Sequence, residues 1–203
     1  DTDQVLTSSS LTGMGTDVLS SIEKAVLTGG DSDNSLDALG FDSGTTTLVG
    51  AGGNDTMVGS PGDDLINGGD GTDLVVSSGD VDFVLSDSAI SGAGNDLLVD
   101  VETAHLSGGS SANTLDATGF TGSTTLEGGD GDDTLLGGSG IDLVLQTSDT
   151  DQVLTSSSLT GMGNDVLSSI ELAGLTDGNS DNSLDASAFS GTVTLDGGQG
   201  NDT

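Results

Sequence analysis

A nine-residue period runs through the chain. It reads GAGGNDTMV (50–58), GSPGDDLIN (59–67), GGDGTDLVV (68–76) and SSGDVDFVL (77–85), then GGDGDDTLL (128–136), GGSGIDLVL (137–145) and QTSDTDQVL (146–154). Asp holds the sixth place in every copy. Six Gly- and Asp-rich residues suit a turn, because Gly supplies positive φ and close backbone approach, and three β-prone residues then suit a short strand. Two such repeats close one flattened coil. Alternation along the strand predicts that the eighth-place residues Met57, Ile66, Val75, Val84, Leu135 and Val144 point inward and their neighbours outward. Roughly 20 strands stacked at about 4.8 Å predict a thin rod about 50 Å long.

Such a rod buries little. Burial contributes about 1.5 to 3 kcal/mol per aliphatic side chain, against about 1 to 2 kcal/mol of backbone entropy per ordered residue. The chain also carries 34 acidic residues against a single basic one, Lys24, a formal charge of -33 over 203 residues. Carboxylates stacked along both edges oppose folding, so something cationic must neutralise them. The same field opposes nucleic acid and anionic membranes as partners, and no apolar run reaches the length of a membrane span. With no Cys, disulfides and thiolate metals are excluded, which leaves hard cations on oxygen ligands. Turns two nonapeptides apart should share an edge. That spacing pairs Asp55 with Asp73, Asp64 with Asp82 and Asp133 with Asp151.

A longer period overlies the short one. DTDQVL (1–6) returns as DVDFVL (80–85) and DTDQVL (149–154), dividing one continuous solenoid into units 1–79, 80–148 and 149–203. The first and third agree at 22 of their first 23 positions, differing only at Thr16 and Asn164. Related turns occur in TGMGTDVLS (12–20), SGAGNDLLV (91–99) and TGMGNDVLS (160–168), and with Asn for Asp in GGDSDNSLD (29–37), GGSSANTLD (108–116) and DGNSDNSLD (177–185).

These nonapeptides resemble the calcium-binding repeats of hemolysin-type (RTX) exported proteins, of the kind found in long bacterial or cyanobacterial surface proteins. The pattern GGxGxDxUx is a known calcium-binding β-helix repeat. The resemblance implies an all-β fold, a right-handed parallel β-roll or β-solenoid with Gly-Asp calcium-binding turns, unfolded without calcium and folding outside the cell. It carries the ligating role to Asp55, Asp64, Asp73, Asp82, Asp133, Asp142 and Asp151. Asp3 and Asp202 are partial counterparts, and Asp17, Asp96 and Asp165 form a second tier. In SSGDVD and QTSDTD the fourth-place Gly is Asp80 or Asp149, which adds a ligand or strains the turn. The long insertions near 18–28, 97–107 and 166–176 require the coil to widen or bulge.

The remaining residues read as structural. Asn34, Asn113 and Asn182 are turn amides that need no ion. Phe41, Phe120 and Phe189 plug a wider coil, and Glu23, Glu102 and Glu171 supply turn polarity. His105 lies opposite Val26 and Gly174 in the aligned units, and no His, Cys or Ser constellation points to catalysis. Leu65, Leu74, Val76, Phe83, Leu85, Leu97, Val99, Leu143 and Leu145 fall on outward places, where an apolar face favours self-association into arrays or filaments. The expected function is therefore a calcium-binding structural module of an exported surface, adhesin, S-layer or extracellular filament protein. The alternative is the C-terminal calcium-binding secretion and folding module of a secreted enzyme whose catalytic domain lies outside this chain. Ice or polysaccharide binding would need a regular Thr array, and TTT (45–47) and TVT (192–194) are isolated.

Overall fold

The computed structural model describes all residues from 1 to 203. The chain forms 23 short strands and no helix, and it divides into two compact units, Asp1–Ser77 with Ser86–His105, and Ser78–Leu85 with Leu106–Thr203. The fold is all-β, with short and mostly parallel strands, as in an RTX β-roll.

Within the first unit the chain alternates between two sheets. One runs in the order Leu74–Ser78, Thr56–Val58, Ser35–Gly40, Gln4–Thr7, Ser10–Thr12, Thr16–Val18, and the other Ala89–Gly92, Gly94–Val99, Leu65–Asp70, Thr45–Gly52, Lys24–Gly30. Successive nonapeptides land on opposite sheets, and repeats two apart pair in parallel and in register, Thr56 with Leu74 and Met57 with Val75. The second unit repeats the scheme, with Thr134 aligned on Thr114 and Leu143 on Thr125.

Met57, Ile66, Val75, Leu135 and Val144 are each 1% exposed or less, so the eighth place faces the core, where the aliphatic layers of the two sheets meet. The expectation for Val84 fails. It is 53% exposed, whereas Phe83 and Leu85, assigned outward, are buried. The same reversal leaves Val5 and Val153 exposed and Leu6 and Leu154 buried. Its cause is visible in the preceding turn. Asp80 and Asp82 both lie on the outer side, accepting N–H bonds from Ser111 (2.9 Å) and Thr114 (2.7 Å). Strand alternation then sends Val84 out and Phe83 and Leu85 in. Where the reversed strand begins with Gln in place of Phe, the inward amide bonds a main-chain carbonyl: Gln4 donates to Thr28 O (2.6 Å) and Gln152 to Thr176 O (3.1 Å).

Three antiparallel meanders interrupt the parallel stacking. Gln4–Thr7 pairs antiparallel with Ser10–Thr12, which pairs antiparallel with Thr16–Val18. The same happens across Gln152–Thr155, Ser158–Thr160 and Asn164–Ser168, and Ala89–Gly92 pairs antiparallel with Gly94–Val99. The extra length is thus taken up ahead of the segments expected to widen the coil. Those segments hold a tight corner instead, with Ser21, Asp100 and Ser169 in the left-handed region at φ 56°, 47° and 55°. Phe41 and Phe120 are buried, their N–H groups bonded to Ala38 O and Ala117 O (2.9 Å each), as expected of plugs, whereas Phe189 is only half-buried. Among the outward apolar residues, Leu65, Leu97 and Val99 are exposed, whereas Leu74, Val76, Leu143 and Leu145 are half-buried.

The reversed phase is testable. In calcium-saturated protein, Phe83→Ala should cost about 3 to 5 kcal/mol in urea unfolding, and Val84→Ala no more than about 0.5 kcal/mol. Equal losses would contradict the assignment.

Candidate metal centre

The sixth-place carboxylates form ladders between turns. Asp55, Asp64, Asp73, Asp133 and Asp142 each accept the main-chain N–H of the preceding turn on their edge through Oδ1. On one edge of the first unit Asn34 N donates to Asp55 (2.8 Å), Asp55 N to Asp73 (2.8 Å), and Asp73 N to Glu102 Oε2 (2.9 Å). On the other edge Thr46 N and its hydroxyl donate to Asp64, and Asp64 N to Asp96 (2.9 Å). In the second unit Asn113 N donates to Asp133 (2.7 Å) and Asp133 N to Asp165 (3.0 Å), while Thr124 N donates to Asp142 (2.8 Å) and Asp142 N to Glu171 Oε2 (3.0 Å). An ionised acceptor makes such bonds strong.

Asp55 and Asp73 therefore share an edge as their spacing of 18 predicts. The other two pairings do not form. Asp64 meets Asp96, and Asp133 meets Asp165, each 32 residues on, because the antiparallel meander displaces Asp82 and Asp151 from the next rung. Asp3, Asp82 and Asp151 are exposed and bond forward to Ser35 N, Thr114 N and Ser183 N. Asp17 is also exposed, and Asp202 is half-buried with Asn182 N on its Oδ1 (3.1 Å). Asp80 and Asp149 neither strain their turns nor lack partners: each caps a serine, Ser111 or Ser180, through its N–H and hydroxyl.

The edges differ in the second carboxylate oxygen. Asp64 Oδ2 accepts Ser60 N (2.6 Å) and Asp142 Oδ2 accepts Gly138 N (2.8 Å). Those turns are satisfied from within. Asp55, Asp73 and Asp133 have Oδ2 atoms that are buried and without a partner, a state too costly for an ionised group to keep in isolation. First-place glycines make room for these atoms. A Cβ on Gly50 would lie 2.1 Å from Asp55 Oδ2 and 2.4 Å from Gly68 O, and one on Gly68 would lie 2.1 Å from Asp100 O and 2.3 Å from Asp73 Oδ2. Each cradle thus converges a carboxylate oxygen and a carbonyl oxygen, the donors a hard divalent cation takes. No three acidic or histidine side chains gather as a ligand cluster, so backbone carbonyls must supply part of any coordination.

Two residues here escaped the sequence reading: Thr46 and Thr124, buried at 3% exposure, serve Asp64 and Asp142. Glu102 and Glu171, read as turn polarity, each end a ladder. The tandem recurrence of VE and IE two residues beyond the left-handed corner was the available signal.

Burial raises the carboxyls of Asp55, Asp73 and Asp133, with neighbouring carboxylates adding to the effect. Asp96 is pushed up to about 7 and Asp165 to about 6, again chiefly by burial. An unfolded chain binds these protons only near the ordinary value of 3.8. Protonation therefore favours the folded state, and that gain is lost as pH rises through 6 to 7. In chelator, the β signal in circular dichroism should grow as pH is lowered from about 8 to about 5. A signal independent of pH would refute the raised carboxyls.

The RTX calcium-binding nonapeptide repeat family matches this sequence in four copies, over residues 42–75, 49–84 and 107–144. These spans contain Asp55, Asp64, Asp73, Asp82, Asp133 and Asp142. No curated protein matches the sequence.

Proposed function

We propose, from the premise that this chain carries RTX calcium-binding nonapeptide repeats, that it is a structural module whose folding is driven by calcium taken up between stacked turns. The supporting observation is the set of buried, unpartnered Oδ2 atoms of Asp55, Asp73 and Asp133 facing first-place glycines, with a carbonyl oxygen converging on the first two. These three are the primary ligands. Asp64, Asp96, Asp142, Asp165 and Asp202 belong to the same ladders and hold ions where neighbouring carbonyls complete the site. The exposed Asp3, Asp17, Asp82 and Asp151 are the weakest positions.

The ion supplies positive charge and oxygen-seeking coordination. The protein supplies spaced carboxylates, the turn carbonyls and glycines small enough to leave the space open. Binding is coupled to folding because an unfolded chain brings no two of these turns together. Affinities on the order of 10⁻⁴ to 10⁻³ M suit such open extracellular sites. The chain would then stay extended at low cytosolic calcium and fold after export, as part of a surface, adhesin or filament protein. The units 1–79, 80–148 and 149–203 would be successive lengths of one array. Exposed Val26, Leu65, Leu97 and Val99 offer apolar surface for lateral association.

Circular dichroism at pH 8 should show coil in chelator and β structure at millimolar calcium, with magnesium a poor substitute because it prefers compact octahedral sites. Full β structure at that pH in chelator would refute the coupling. Asp73→Asn should raise the calcium midpoint several-fold, whereas Asp142→Asn, whose carboxylate is already satisfied by N–H groups, should move it less. The reverse ranking would remove the argument from unpartnered oxygens.

A further inference from the structure

We propose that the turn 177–182 is a divalent-cation site in its own right, with Asp177 as its carboxylate ligand. This rests on reading the turn cradles as calcium sites, but it concerns a turn whose sixth place is Asn and which lies outside the matched repeats.

The three Asn turns, 29–34, 108–113 and 177–182, differ at the first place, which is Gly29, Gly108 and Asp177. In the first two the cradle is neutral. A Cβ on Gly29 would lie 2.5 Å from both Asn34 Oδ1 and Gly50 O, and one on Gly108 would lie 2.2 Å from Gly128 O and 2.9 Å from Asn113 Oδ1. Asn113 Oδ1 accepts Gly109 N (2.9 Å), so that turn closes on itself. In the third turn the carboxylate absent from the sixth place returns at the first. Strand register, with Thr176 beside Asp196, sets Asp177 opposite Gly197 as Gly29 is set opposite Gly50 by Thr28 beside Val49.

Asp177 is 4% exposed. Its Oδ1 accepts Gly178 N (2.7 Å) and Asn182 Nδ2 (2.9 Å), and its buried Oδ2 has no partner. Asn182 Nδ2 also faces Asp149 Oδ1 at 3.1 Å and Ser180 O at 3.4 Å, while Asn182 N donates to Asp202 Oδ1 (3.1 Å). One amide with two hydrogens is thus shared among three oxygens, two of them on carboxylates, and a further carboxylate oxygen is left over. A third carboxylate, Asp202, bonds the same residue's main chain. A buried carboxylate oxygen with no donor, beside an amide whose hydrogens are already oversubscribed, is what a hard divalent cation neutralises. The two sister turns also bond a carboxylate through their Asn main chain, Asp55 or Asp133, but with Gly29 and Gly108 at the first place they have no carboxylate of their own there.

The test counts ions on the whole 203-residue chain by equilibrium dialysis against radioactive calcium. Asp177→Gly, which restores the sister turns, and the isosteric Asp177→Asn should each bind one ion fewer than the parent chain at saturation while keeping its β signal. An unchanged count in both variants overturns the proposal and leaves the other turn sites standing; no calcium bound by the parent chain overturns both. Should Asp177→Gly fail to fold, Asp177→Asn and the parent chain decide. In the parent, calcium titration should shift the Gly178 amide and Asn182 side-chain amide resonances by NMR, and unmoved Asn182 resonances would refute the site.

Discussion

Everything in this molecule depends on a carboxylate oxygen accepting a main-chain N–H from the turn beside it. That bond repeats along each edge, from Asn34 through Asp55 and Asp73 to Glu102 and from Asn113 through Asp133 to Asp165. It solves one problem, since turn N–H groups have no strand partner and would otherwise go unpaired. It creates another, because it stacks anions in a chain of formal charge -33 with little apolar core to offset their repulsion. A second series runs outside the first with opposite polarity: Asn54 N donates to Asp33, Thr72 N to Asn54 Oδ1, Asn95 N to Asp63 and Asn164 N to Asp132. The fifth place varies, being Asp, Asn, Thr, Val81 or Ile141 among the seven copies, while the sixth is Asp in all of them.

The inner ladder uses only one oxygen of each carboxylate, and the fate of the other separates turns closed by their own N–H groups from turns that leave it without a partner. Ser60 and Gly138 close their own turns on Asp64 and Asp142, and buried Thr46 and Thr124 add hydroxyl bonds to the same side chains. Asp55, Asp73 and Asp133 receive no such help. Their raised carboxyls express the same cost from the side of the proton, so acid relieves the burial penalty that the proposed calcium would also relieve.

The meanders show how a repeat of fixed period tolerates inserted length. The meander from Gln152–Thr155 to Asn164–Ser168 sits within the parallel stack, between Leu184–Ala188 and Thr134–Leu136, and Gly94–Val99 lies parallel on Leu65–Asp70 with Leu97 beside Leu65, whereas Thr16–Val18 ends its sheet. The rung that Asp82 would have filled passes to Asp96. Because the strand entering the meander is reversed in phase, Phe83 fills core that Val84 was expected to occupy.

Much of this was legible in one dimension. The nine-residue period, the inward eighth place at Met57, Ile66 and Val75, and the shared edge of Asp55 and Asp73 all follow from local rules: strand alternation, Gly-permitted turns and two repeats to a coil. The acidity dictated the need for a cation. Tertiary structure alone decided the partners of Asp64 and Asp133, the burial of Phe83, the satisfied state of Asp142 and the role of Glu102. Each of these depends on which distant turn lies beside a given residue. A sequence period sets that neighbour only while the period is unbroken, and a single antiparallel excursion moves every later contact on its edge.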